Sequence, residues 1–285
     1  MIARSTWTCR RLPALALVLS CVEGAARLAS AQDILMDVLN RHGVAPSDRG
    51  PEGAFDEGSL PTIPIQAGAF AAPLAVLLSG TGSDQIKAAY TFGILAGRYG
   101  RGVPGAELTA AGESLVQMIG STHRKTRIAG ARVAGRVFAM PLTVSTPTAP
   151  RPAGLVEGLF TALNNSDETE LLAAMDAMGL LREPRAVTSL TDRYNFYRSA
   201  KKRTLAGGAL EALARIGDAS SVNIVKVLVT DKWGQGNDAT ALAVAFARER
   251  MLKDGSAAIL QQALADKKRQ LQARRYLAEL GAQIQ

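Results

Sequence analysis

The stretch "ALARIGDASSVNIVKVLVTD", residues 212–231, decides how this chain folds. Two apolar runs flank a Gly-Asp pair. Ala212, Leu213 and Ile216 recur at helical spacing, and so do Val222, Val225 and Val229. Glycine is the residue that ends a helix most readily, and aspartate is a good start signal for the next. The stretch therefore predicts one helix ending at Gly217 and a second that starts after Asp218 and buries Val225, Leu228 and Val229, packed antiparallel on the first.

Shifting by thirty-five residues in either direction finds the same pattern. Upstream, "AMGLLREPRAVTSLTDRY" (177–194) puts Ala177, Met178 and Leu181 on the first set and Val187, Leu190 and Tyr194 on the second. Downstream, Ala247, Met251, Leu260 and Leu264 take those places, with Arg248 where an apolar residue is expected. Asp231 and Asp266 fall in register as caps for the helices that follow. A two-helix unit of this length cannot bury its apolar face alone, so neighbouring units must stack.

"ALARIGDASSV" and "AMGLLREPRAV" resemble the HEAT-repeat consensus in its bacterial PBS-lyase-type form, a small-Leu-Gly-x-Ile-Gly-Asp turn followed by Ala-Val. The likeness covers 166–231 well and 236–281 fairly, and "YLAELGA" (276–282) begins a last unit. Upstream it thins to "AYTFGIL" (89–95) and "RVAGRVF" (132–138), where Gly93, Gly135 and Gly179 are spaced 42 and 44 residues apart. The resemblance implies an all-α fold, an α-solenoid of antiparallel helix pairs with about five to six repeats over residues 69–285. It implies a long interaction surface and no particular chemistry.

The first thirty-one residues are of another kind. Arg4, Arg10 and Arg11 precede the apolar run "LPALALVLSCV" (12–22), and "ASA" (29–31) precedes Gln32. A basic start, a short apolar core and a small-x-small site describe a secretory signal peptide; eleven apolar residues are too few to span a bilayer. A lipoprotein reading, with a lipid anchor at Cys21 in "VLSC", ranks second because Leu19 departs from the small residue expected there. Cleavage after Ala31 removes both cysteines and lowers the formal net charge from +8 to +5. The expected location is extracytoplasmic, periplasmic in a bacterium. Residues 32–68 read as a short amphipathic helix, "DILMDVLNRHG" (33–43), and a Gly/Pro-rich segment without a period.

Composition argues for packed helices: 47% of residues are hydrophobic, only 5% aromatic, and 27 are glycine. The chemistry-bearing residues are sparse. His42 and His123 stand apart, no strand-turn-helix frames a glycine-rich phosphate loop, and no nucleophile motif is present. No catalytic residue, cofactor or metal is expected. Asp167 and Glu168 sit where a helix begins and read as caps.

Two basic stretches remain. "DRYNFYRSAKKR" (192–203) carries Arg193, Arg198, Lys201, Lys202 and Arg203, with Tyr194 and Tyr197 continuing a buried stripe. These cations read as a solvated helix end and, together with Trp233 of "DKWGQGND" (231–238), as the candidate binding surface. "KKRQLQARR" (267–275) reads as the polar cap of the last helix. "PLTVSTPTAPRP" (141–152) reads as an exposed connector stiffened by prolines. The expected partner is another protein or a peptide; an acidic polymer and a catalytic or accessory role in an envelope enzyme are the alternatives, and export argues against nucleic acid.

Overall fold

The computed structural model describes residues 70–282, apart from 100–102, 104, 148 and 237. The signal peptide, Cys21, the 33–43 helix and the segment that follows it lie outside the described residues. Among those described, the secondary structure is helical without strands, and twelve α-helices succeed one another. They are α1 (Ala71–Ser79), α2 (Gly82–Tyr99), α3 (Gly105–Ile119), α4 (Arg124–Val137), α5 (Leu155–Leu163) and α6 (Glu168–Leu180). Then follow α7 (Val187–Ser199), α8 (Arg203–Ile216), α9 (Val222–Val227), α10 (Ala239–Leu252), α11 (Ala257–Ala263) and α12 (Gln270–Leu280). None is long and apolar enough to cross a membrane.

The even-numbered helices form one continuous row, α2 on α4, α4 on α6, and so on to α12; each odd-numbered helix packs against the even helix after it. This revises the pairing expected across Gly217. The turn there joins α8 to α9, yet α9 makes its main contact with α10. The pairing does not depend on helix length: α7, thirteen residues long, likewise packs on the even helix that follows it.

Small residues explain how the row is built. Eight consecutive residues are buried in α4 (128–135), in α8 (209–216) and in α10 (240–247). A helix buried on every side must be narrow, and alanine and glycine make it so. The odd helices instead bury one stripe, as in Leu190, Tyr194 and Tyr197 of α7. Glycine opens the closest approaches. A Cβ on Gly135 would stand 2.7 Å from Ala177 Cα, and one on Gly179 would stand 2.7 Å from Ala212 Cα.

The thirty-five-residue register appears in the turns. Arg182, Gly217 and Lys253 have φ of 50°, 73° and 55°, the left-handed conformation that reverses a helix end. The residue after each is acidic and accepts a backbone N–H two residues on: Glu183 from Arg185 at 3.2 Å, Asp218 from Ser220 at 2.8 Å, Asp254 from Ser256 at 3.1 Å. Glycine at 217 adopts this conformation freely, whereas arginine and lysine do so at a cost.

Three sequence expectations shift in detail. Val225 and Leu228 are fully buried, but Val229 is 45% exposed, because α9 stops at Val227 and the helical phase does not reach it. Tyr194, its counterpart, stays buried because α7 runs on to Ser199. Asp231 and Asp266 accept N–H groups from Trp233 and Lys268, so they cap the turn that precedes each helix; α10 itself is capped by Asp238. Asp167 does cap α6, accepting from Thr169 and Glu170.

Candidate functional site

The row of even helices brings together a charged cluster that lies far apart in sequence. Asp176 of α6 and Glu211 of α8 occupy equivalent positions thirty-five residues apart. Arg215 lies one turn beyond Glu211, and α12 adds Arg275, Tyr276 and Glu279. The Arg215 side chain is 1% exposed and satisfied on every side. It donates to Asp176 at 2.8 Å, forks onto both Glu279 oxygens at 2.7 and 2.9 Å, and lies 2.5 Å from Glu211.

Glu211 is equally occupied. One oxygen takes Arg215 and Arg275, and the other accepts the Tyr276 hydroxyl at 2.6 Å. Tyr276 stacks on Phe246 of α10 with ring centroids 4.5 Å apart, and the Arg215 guanidinium lies 5.8 Å from the Phe246 ring centroid. Charges this deep persist only when paired and hydrogen-bonded, which these are.

The electrostatics follow from that pairing. Burial pushes the Asp176 carboxyl up, but the guanidiniums of Arg215, Arg275, Arg136 and Arg132 outweigh it and hold the group below the usual range. Burial works against the Arg215 charge, and Glu211, Glu279 and Asp176 more than offset it, so Arg215 stays protonated. Burial, then the neighbouring Glu211 charge, push the Tyr276 phenol well up, so it remains a donor.

Beside the cluster lies a concavity of about 230 Å³. Leu172, Gly207, Gly208 and Ala243 give it an apolar wall; Thr204 and Thr240 stand in the first turns of α8 and α10; Asp176, Glu211 and Arg275 close one side. Glycines at 207 and 208 keep the space open, since a Cβ on Gly208 would reach within 2.7 Å of the Leu172 side chain. Gln272 donates to the Tyr276 hydroxyl oxygen at 2.7 Å, fixing the α12 side.

The residues singled out from sequence fall elsewhere, and most are engaged. Arg198 donates to the Tyr194 hydroxyl oxygen at 2.6 Å and pairs with Asp231, while its guanidinium lies 5.7 Å from the Trp233 ring centroid. Arg203 forks onto Asp238 at 2.8 and 3.1 Å, and its guanidinium lies 5.1 Å from the Trp233 ring centroid. Lys202 pairs with Glu168 at 2.6 Å, and Arg193 donates to the Asn164 amide oxygen at 3.0 Å. Lys201 is exposed, at a left-handed backbone position. Arg198, Arg203 and Trp233 thus form one arginine-aromatic stack joining α7 and α8 to the turn before α10.

The remaining segments are also pinned. Arg182 donates to the Val144 carbonyl at 2.6 Å, and Arg151 pairs with Glu183 at 3.0 Å, tying the proline-rich connector to the end of α6. Of the basic run on the last helix, Arg275 turns into the buried cluster, so that run is more than a solvated cap. Cations and carboxylates at the helix starts link the row: Arg124 with Asp167 at 2.7 Å and Arg127 with Glu170 at 2.8 Å.

What the cluster can do chemically is limited by its own satisfaction. A carboxylate held ionised below its usual range is a weak proton acceptor at neutral pH. Asp176, the carboxylate of the concavity with a resolved shift, is of that kind. The arrangement suits holding helices in place and offering a small, mixed surface to a ligand. No protein-family model matches this chain, and no curated protein matches it.

Proposed function

We propose that the protein is a noncatalytic interaction scaffold of the cell envelope, built as a HEAT-like α-solenoid and exported by its N-terminal segment. The observation that carries this reading is the uninterrupted row of six even helices, each packed on the next, with a concavity spanning four of them. A stack in which every unit contacts its neighbours offers an extended surface to a partner chain. In this reading a peptide or protein segment lies along the row and sets a side chain between Thr204 and Gln272.

A catalytic role would need a pocket that gathers carboxylates and arginines, and the concavity does gather Asp176, Glu211 and Arg275. Their mutual pairing favours the scaffold. Photo-crosslinking distinguishes the two. A photoreactive residue at exposed Thr204 should capture an envelope protein in living cells, and one at exposed Thr188 of α7 should not. Equal capture at both positions refutes the placement. Turnover of a small molecule that is lost in Asp176→Asn refutes the scaffold.

A further inference from the structure

We infer that the edge formed by the C-terminal ends of α7 and α9 docks on an anionic lipid surface. Four large apolar side chains are markedly exposed among the described residues, and three belong to this edge: Phe196 at 65%, Val227 at 59% and Val229 at 45%. The Arg198–Asp231 ion pair ties the two segments together, two residues beyond Phe196 on one side and two beyond Val229 on the other.

The charges around this edge separate into two groups. Arg198, Lys202 and Arg203 are spent on Asp231, Glu168 and Asp238. Lys201, Lys226 and Lys232 are exposed and form no ion pair among the described residues. The single acidic residue of α7 is Asp192, one turn back from Phe196, and α9 has none. Three unpaired lysines thus stand against one exposed carboxylate, Asp192, and the net free charge of the two segments is positive.

Isolated apolar side chains with unpaired lysines on the same two segments suit a planar interface. Phe196, Val227 and Val229 enter the boundary between headgroups and acyl chains, while the lysine stems lie along it and their heads meet lipid phosphates. Each lysine near an anionic surface contributes about fivefold in partitioning, so three distinguish anionic from neutral lipid clearly.

The test is sedimentation of the full chain with vesicles of phosphatidylglycerol and phosphatidylcholine in equal parts, against phosphatidylcholine alone. The wild type should prefer the anionic vesicles and release as salt rises. Both F196S/V227S/V229S and K201E/K226E/K232E should weaken that binding at least tenfold, with melting temperatures close to the wild type because all six side chains are exposed. Hydrogen exchange should slow in 195–201 and 222–233 when vesicles are added, a readout independent of the apolar N-terminal segment. Absence of an anionic preference overturns the inference, as does binding that both variants retain or that leaves these two segments unprotected. A change of oligomeric state in vesicle-free F196S/V227S/V229S also overturns it, since the edge would then be covered by a second copy of the chain.

Discussion

Replacing Gly179 with alanine tests the packing of the even-helix row at one of its two closest glycine approaches to backbone. The new Cβ would lie 2.7 Å from Ala212 Cα and 3.1 Å from Ala212 Cβ. The obstacle includes backbone of the neighbouring helix, so no side-chain rotation relieves it, and α6 and α8 must move apart. Overpacking of this kind costs about 1–3 kcal/mol, and a backbone obstacle places it near the top of that range. Alanine regains about 1 kcal/mol of helix propensity over glycine. The net loss is about 2 kcal/mol, a fall of roughly 4–8 °C in melting temperature for a domain of this size. Gly105→Ala is the matched control, because nothing lies within 4 Å of its Cβ position and its φ is not positive. Thermal unfolding followed by circular dichroism reads both. If Gly179→Ala melts at or above the wild type, the close approach of α6 to α8 is wrong.

Leu213→Ala and Val225→Ala, both at fully buried sites, should each cost roughly 2–4 kcal/mol in chemical denaturation, while exposed Val229→Ala should change stability by less than about 0.5 kcal/mol. Lys253→Gly relieves a left-handed lysine and should raise stability by about 1 kcal/mol, whereas Gly217→Ala should lower it by a similar amount. Arg215→Met leaves the partly buried Asp176 and Glu279 without their guanidinium and should cost about 3 kcal/mol at neutral pH, measured by urea unfolding. That cost should shrink under acid. The folded Asp176 carboxyl titrates below its ordinary value of about 4, so its stabilisation is complete above that value and is lost as pH falls through the lowered folded value. An Arg215→Met penalty that stays constant between pH 7 and pH 3 would show that the ion pairs do not carry it.

The turn register was legible because it is local. A helix-ending residue, an acidic residue after it and a small or proline-containing turn recur at 182, 217 and 253, and each piece acts within a few residues of itself. The partners of α9 were not legible. Gly-Asp dictates that the chain turns at 217, but α9 is held by its apolar stripe, and that stripe is satisfied by α10. Val229 misled for the same reason: periodicity counts positions and does not register that the helix has already ended.

The charged cluster is not legible from apolar periodicity, because a lone acid or base inside an apolar helical run looks like the solvent face of that helix. Asp176 in "ELLAAMDAMGL" and Glu211 in "LEALARI" carry the needed signal only when the repeat register is applied to charges as well as to apolar residues. Two carboxylates then stack at one level of adjacent helices. Stacked like charges demand a cation between them, and Arg215 at one turn from Glu211 is the residue placed to supply it. Nothing in that logic reaches Glu279, sixty-four residues further on. Its arrival depends on how α10 and α12 follow α8. The Arg215–Glu279 fork therefore reports the packing of the row itself. Exchanging the pair (Arg215→Glu with Glu279→Arg) would keep that one contact but set a third carboxylate, at position 215, against Asp176 and Glu211. The exchange should fail to restore stability in urea unfolding, because the arginine is shared among three carboxylates drawn from three helices. A double exchange as stable as the wild type would show that the Glu279 contact alone matters.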